Sequence, residues 1–230
     1  MSAAIVVEDL HKTFTLHTQG GQELSVLRGV HLTVAPGECV ALADPSGSGK
    51  STLLRCIYGN YRPQAGRIMV RHDAGVVDVV GAEPRVVLDV RRRSLGYVSQ
   101  FLRVIPRVPA LEIVAEPLRA LGVPRGDALA RAAAVLEQLR IPERLWTLSP
   151  VTFSGGEQQR VNVARGLAAG HPILLLDEPT ASLDADSRAL VVALIVEARE
   201  RGTAMLGTFH DAEVRAAVST RRATLHEVAA

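Results

Sequence analysis

Two groups of residues carry most of the chemistry that this sequence can offer. The first is Asp44-Pro45-Ser46-Gly47-Ser48-Gly49-Lys50-Ser51-Thr52, set between an apolar run, Cys39 to Ala43, and a helix-like run, Leu53 to Tyr58. Gly47 and Gly49 lack a Cβ, so the backbone can curl tightly and turn its N–H groups inward. A helix start adds partial positive charge at the same place. Strand, glycine-rich turn and helix in this order read as a phosphate-binding loop. Ser46, Gly47, Ser48 and Gly49 wrap the phosphates, Lys50 reaches the β- and γ-phosphates, Ser51 ligates Mg²⁺ and Thr52 completes the motif. An ordinary Gly/Ser turn without a ligand leaves Lys-Ser-Thr unexplained. One position departs from G-x-x-x-x-G-K-[ST]: its first glycine is Asp44. Aspartate tolerates the left-handed backbone, but its carboxylate would face a polyanion. The expected net cost is about 1 kcal/mol, about fivefold in affinity, unless the side chain turns outward or pairs with a nearby Arg or Lys.

The second group starts with Ile173-Leu174-Leu175-Leu176, a continuous apolar run of the kind buried on both faces of a sheet. It ends in Asp177-Glu178. Adjacent carboxylates at a buried strand end are costly without partners. Asp177 is suited to hold Mg²⁺ through water, and Glu178 to polarise an attacking water. Gln100 ends another strand candidate, Leu95 to Ser99, where it is placed to reach Mg²⁺ or that water. His210 follows the strand candidate Ala204 to Thr208 and is placed to contact a γ-phosphate. Ser154-Gly155-Gly156-Glu157 opens a helix, with Ser154 as cap and Glu157 completing a capping box. The second glycine costs helix stability, and a second phosphate-facing helix N-terminus accounts for it. Phe14 is either a platform for a nucleotide base or a core residue. No G-x-S-x-G element is present, which disfavours a serine hydrolase.

These residues need a frame. Ile5 to Val7, Ser25 to Val34, Arg67 to Val70 and Val76 to Val80 read as strands, so the N-terminal third is rich in antiparallel signals around the loop-bearing strand. From Ala110 to Arg140 the periodicity is helical, with Leu129, Ala132, Ala133, Leu136 and Leu139 on one face. Pro117, Gly122-Val123-Pro124 and Pro142 punctuate it. Val191, Leu194, Ile195 and Ala198 mark a later amphipathic helix. Arg91-Arg92-Arg93 reads as a solvated helix face or a partner patch. Phe101-Leu102-Arg103-Val104-Ile105-Pro106-Arg107 reads as a buried loop or a contact surface, and the two arginines that interrupt its apolar residues favour the surface.

At 230 residues, one α/β domain with an inserted unit is expected. The 26 basic and 24 acidic residues nearly balance, which does not call for nucleic acid or membrane. One Trp, three Tyr and four Phe are too few for the stacking platforms of many RNA binders. Cys39 and Cys56 read as small buried hydrophobes, and no disulfide or metal pattern exists, which suits a reducing cytoplasm. No signal-like N-terminus is seen, and the longest apolar run, Ala189 to Val196, falls short of a membrane span. A membrane role would need a separate subunit.

The ordered set Lys50-Ser51-Thr52, Gln100, Ser154-Gly155-Gly156-Glu157-Gln158, Asp177-Glu178, Asp184 and His210 resembles the ATP-binding cassette (ABC) ATPases. The resemblance implies an α/β P-loop NTPase fold of the ABC type. Its mixed sheet core carries an antiparallel N-terminal β subdomain, with an inserted helical subdomain at about residues 101–165 of one domain spanning 1–230. It implies ATP and Mg²⁺, with Phe14 at the adenine and Ser51, Gln100 and Asp177 around the metal. Glu178, His210 and Gln100 take the catalytic places. Ser154, Gly155, Gly156 and Glu157 contact ATP held by the opposite protomer of a homodimer, with Asp184 at the seam. Ser99 to Arg107, Pro142-Glu143-Arg144-Leu145-Trp146 and Thr152 to Asn162 are similar, more narrowly, to the L subunit of the bacterial phosphonate carbon–phosphorus lyase system. That similarity implies a cytoplasmic ATPase assembled with soluble lyase core subunits and a sister ABC-type subunit, without membrane insertion. It assists formation of ribose 1-phosphonate 5-triphosphate from ATP and phosphonate. The ATPase of an ABC transporter and a weakly hydrolysing, nucleotide-gated scaffold remain the alternatives. The Phe101 to Arg107 stretch, where transporter ATPases meet membrane helices, favours the lyase reading.

Overall fold

The computed structural model describes residues 3–16, 21–102 and 106–225. Among the described residues nine strands form two sheets. The antiparallel sheet has the order β2-β1-β4-β5, from β1 (Ile5–Leu16), β2 (Gln22–Val34), β4 (Ala65–His72) and β5 (Gly75–Asp78). The parallel sheet has the order β6-β7-β8-β3-β9. Its strands are β3 (Cys39–Leu42), β6 (Leu95–Val98), β7 (Ile173–Asp177), β8 (Ala204–Thr208) and β9 (Arg221–Ala223). The loop-bearing strand β3 lies between β8 and β9, and β7 lies between β6 and β8. β3 and β7 are thus separated by the single strand β8 and run parallel to it, so the loop that follows β3 and Asp177 at the end of β7 lie at the same end of the sheet.

Strand β7 shows why its sequence is apolar throughout. Ile173 and Leu175 enter one core, with β1, β2, β4 and helix α1 (Lys50–Ile57). Leu174 and Leu176 enter the other, with α3 (Ala110–Ala120), α4 (Arg125–Gln138), α6 (Gly155–Ala168) and α7 (Ala185–Glu200). Alternate side chains point to opposite faces and both faces are covered, so no position tolerates a polar residue until the strand ends. Cys39 and Cys56 are buried and free, as expected of small hydrophobes. Burial pushes the Cys39 thiol up to about 12 and that of Cys56 to about 11.

Several elements differ from the sequence reading. The first strand runs on to Leu16, because register shifts between Val7 and Thr13 let it bend and keep pairing with β2. Pro117 sits inside α3 rather than ending it. Burial of Ile113, Val114 and Leu118 offsets the lost backbone bond. The buried face of α4 is Ala128, Ala132 and Leu136, continued by Leu139 as its C-cap, with Leu129 and Ala133 at the margin. The three arginines close α2 (Pro84–Arg93), and Arg91 is no free cation. Its Nε donates to Tyr58 O at 2.6 Å and its guanidinium lies 4.6 Å from the Tyr58 ring. The C-terminal segment supplies β9, which pairs with β3. Arg103, Val104 and Ile105 of the expected contact surface lie outside the described residues. Next to them Phe101 is 71% exposed.

Candidate functional site

The loop between β3 and α1 has the form its glycines require. Gly47 and Gly49 have φ of 81° and 104°, conformations that side chains rarely adopt. A Cβ on Gly49 would also meet Val26 Cγ1 at 2.7 Å. Lys50 Nζ crosses the loop to donate to Asp44 O and Pro45 O, each at 2.6 Å. Ser48 Oγ is buried without a hydrogen-bond partner. Ser46 and Gly47 are exposed and Thr52 is half-buried in the first turn of α1. A cradle with a lysine, a helix start and an orphaned buried hydroxyl fits a polyphosphate.

Asp44 is not turned on that ligand. Its Oδ2 accepts from Leu225 N at 2.9 Å, just beyond β9. Of the two outcomes expected for this carboxylate, a burden on the phosphates or a partner elsewhere, the structure shows the second. The partner is a backbone N–H rather than an Arg or Lys.

Ser51 Oγ donates to Asp177 Oδ1 at 2.8 Å, which joins the two groups of sequence candidates. Asp177 is 1% exposed, and three hydroxyls meet its carboxylate. Thr208 Oγ1 also donates to Oδ1 at 3.1 Å, and Tyr97 Oη donates to Oδ2 at 3.1 Å. Burial foremost, and Asp177 beside it, hold the Tyr97 phenol above its ordinary value, so it stays a donor. Ser51 and Asp177 offer hard oxygen donors, which suit Mg²⁺. Among the described residues no three His, Cys, Asp or Glu stand together as a metal cage, so phosphate oxygens and water would complete such a shell.

Glu178 follows at φ 51°, a strained conformation for a non-glycine that costs about 1–3 kcal/mol. Its N–H is held by Thr208 Oγ1 at 3.0 Å and Thr208 O at 3.2 Å. Its Oε2 accepts from Gln100 Nε2 at 3.1 Å. So Gln100 meets Glu178, while Asp177 and Glu178 share Thr208 as a partner. His210 is exposed, two residues beyond Thr208, which pairs with Asp177 in the sheet. Phe14 stands on β1 opposite Leu24. Its ring meets Tyr61 edge-on at 5.3 Å and lies under Lys12 Nζ at 4.8 Å.

Helix α6 begins with the expected capping box. Glu157 N donates to Ser154 Oγ at 3.3 Å, and Ser154 N donates to Glu157 Oε2 at 2.9 Å. Bonds from Ser154 hold the Glu157 carboxyl below its ordinary value. The two glycines differ. A Cβ at Gly155 meets nothing within 4 Å, whereas one at Gly156 would stand 3.4 Å from Ser182 O. Close approach to Ser182 is thus a reason for the second glycine that the sequence did not suggest. Asp184 caps α7, accepting from Ser187 N at 2.8 Å and from Ser187 Oγ at 3.0 Å. Sequence reasoning missed the residues that tie this helix to the carboxylates. Gln159 Nε2 donates to Pro179 O at 3.0 Å, and Asn162 Nδ2 donates to Ser99 O beside Gln100. Both are buried polar groups one helical turn apart. Two polar residues at that spacing read equally well as solvated. Thr208 and Tyr97 were missed for a related reason: each lies in a run that already made sense as a strand.

Fold and site together define a P-loop NTPase of the ABC ATPase type. The chain belongs to the ABC transporter family, which it matches over residues 27–181. It is 43% identical over 201 residues to the lipoprotein-releasing system ATP-binding protein LolD of Maricaulis maris, covering 87% of this chain and 85% of that protein. It is 38% identical to the pyoverdine export ATP-binding/permease protein PvdT of Pseudomonas fluorescens, over 92% of this chain and 31% of that protein. Among solved structures it is similar to dimeric MJ0796, a bacterial ABC transporter cassette. There the TM-score is 0.85 and the identity 30%, over 98% of this chain and 97% of that one. A dimeric post-hydrolysis state of the same cassette bound to ADP and Pi gives a TM-score of 0.84 at 30% identity, covering 96% of this chain and 93% of that chain.

These relatives overturn the narrower resemblance. They are named for lipoprotein release and pyoverdine export, and none is named for phosphonate cleavage. The lyase L subunit, the synthesis of ribose 1-phosphonate 5-triphosphate and the soluble lyase partners therefore do not stand for this chain. The stretches behind that reading include α5 (Glu143–Trp146) and the start of α6, which do structural work here. Trp146 Nε1 donates to Ile141 O at 2.9 Å, and Ser154 caps its own helix. Packing and capping of this kind do not identify a partner.

Proposed function

We propose that this chain is the ATP-hydrolysing subunit of an ABC transporter, seated on membrane-spanning permease chains and working at the cytoplasmic face. The transport class is lipoprotein release or a related export. The observation that carries the reading is the single cluster in which Ser51 meets Asp177 and Gln100 meets Glu178 at the mouth of the phosphate loop. Lys50, Ser51 and the loop N–H groups bind the phosphates of ATP, and Phe14 stacks on its base. Ser51, Gln100 and Asp177 hold Mg²⁺, which neutralises charge on the phosphates. Glu178 orients the attacking water, and its left-handed backbone aims the carboxylate. His210 contacts the γ-phosphate. Two protomers pair head to tail, so that Ser154, Gly155, Gly156 and Glu157 of one close over the ATP of the other, with Asp184 at the seam. The helical unit over about 101–165 belongs to this one domain of 1–230. The similarity to dimeric cassettes supports the pairing.

The relative LolD is named as the ATP-binding protein of a lipoprotein-releasing system, and the match covers 85% of its length. Among the described residues, moreover, no helix is long and apolar enough to cross a membrane. The test is to tag the chain at its native expression level, dissolve membranes in detergent and recover the complex. We expect a multi-spanning membrane protein and ATP hydrolysis in the same fraction. Recovery from the aqueous fraction alone, with no membrane partner, would overturn the reading.

A further inference from the structure

Ser51 and Arg55 on α1 and Tyr58, its C-cap, lie at i, i+4 and i+7, and Ser51 and Tyr58 meet Asp177 of β7 and Tyr97 of β6. Across from them, Tyr97 pairs in register with Leu175, so Tyr97 and Asp177 share a face of β6 and β7. The Tyr58 and Tyr97 rings pack with centroids 5.0 Å apart, and the Arg91 guanidinium lies 4.6 Å from the Tyr58 ring centroid. Arg55 Nη1 donates to Tyr61 Oη at 3.0 Å, and its guanidinium also interacts with Tyr97. An arginine, packed rings and a phenol thus end on the one Asp177 oxygen that Ser51 and Thr208 leave free.

We propose that Tyr97 is a positioning residue for the metal site. Its hydroxyl holds Asp177 in the orientation that Mg²⁺ needs, and Arg55 and Tyr58 hold Tyr97. The inference rests on the nucleotide-site reading above. A carboxylate that is 1% exposed cannot use water to fix its second oxygen. Without the phenol, Oδ2 is unsatisfied and the group is free to rotate away from Ser51. Among the described residues no hydrogen bond or ring contact joins Tyr97 to the phosphate loop, and its link to the site runs through Asp177.

The test separates nucleotide from metal. Affinity for a fluorescent ATP analogue is measured in excess EDTA and in excess Mg²⁺, and the half-saturating Mg²⁺ is found at fixed nucleotide. Tyr97→Phe is expected to raise half-saturating Mg²⁺ about tenfold, within the range for lost outer-shell partners. Affinity in EDTA should stay within about twofold. Arg55→Met should shift Mg²⁺ dependence in the same direction by less, since it removes only the support. Unchanged Mg²⁺ dependence in Tyr97→Phe would overturn the proposal. So would an equal loss with and without metal, which is what a general packing defect produces. If wild type itself binds nucleotide with no response to Mg²⁺, the nucleotide-site reading falls and this inference falls with it.

Discussion

In the proposed function Glu178 orients the attacking water, and its carboxylate is held by Gln100 at one end and its backbone by Thr208. Glu178→Gln keeps size and hydrogen bonding but removes the base. ATP hydrolysis should fall about 10²-fold or more, while ATP binding persists. Steady-state turnover beside a nucleotide titration checks this, and turnover at the wild-type rate would assign the base elsewhere. Asp44 gives the opposite kind of prediction. Since its carboxylate accepts from Leu225 N, Asp44→Gly should leave Mg-ATP affinity within about twofold and lower stability by about 1 kcal/mol, the cost of an unsatisfied N–H. Asp44→Asn, which keeps an acceptor, should recover most of that loss in denaturant unfolding. Tightening of ATP about fivefold in the glycine variant would mean that the carboxylate does burden the phosphates. Lys50, Ser51, Asp177 and Glu178 were readable because short spacing encodes their roles. Tyr97, 80 residues from Asp177, was not, because sheet register alone brings it there.

At the level of elements, capping residues link pH to stability. Asp211 opens α8 (Ala212–Val218), accepting from Glu213 N at 2.8 Å and Val214 N at 3.1 Å, and pairs with Arg188 of α7. The bond from Val214 N, then that from Glu213 N and the charge of Arg188, hold its carboxyl below the ordinary value. A depressed folded value means stability that is present above the unfolded value and lost as pH falls through the folded one. Asp211→Ala should therefore lower Tm at pH 7, and the gap to wild type should shrink below about pH 4. A gap independent of pH would deny the cap its charge. Strands and helices with a strong period were legible, β7 and α7 above all, since burial on a fixed face writes the pattern. The continuation of β1 and the strand β9 were not. Bulges break the alternation in the first, and Arg221 and Arg222 on an exposed edge hide the second.

At the scale of the whole molecule, the proposed function requires the phosphate loop of one protomer to meet the α6 start of another. The phosphate loop opens at Ser46 and Gly47, and the α6 start exposes Ser154 and Gly155. The second glycine is accounted for by Ser182, but the first is not: a side chain at Gly155 would meet only open space. Such a position has no reason inside the protomer to be glycine. A paired protomer supplies one, because ATP held by its loop would come against this helix end. Gly155→Glu makes the point testable. Inside one protomer the change is harmless or mildly stabilising, since a carboxylate in the first helical turn suits the helix dipole by about 0.3–1 kcal/mol. Against a facing triphosphate it is repulsive. The variant, built on Glu178→Gln to block turnover, should show Tm at or above that of its parent and normal binding of one nucleotide by the monomer. It should nonetheless fail to form the ATP-dependent dimer in light scattering. Dimer formation equal to that of Glu178→Gln alone would show that the α6 start faces no nucleotide, and would remove the head-to-tail arrangement from the proposed function.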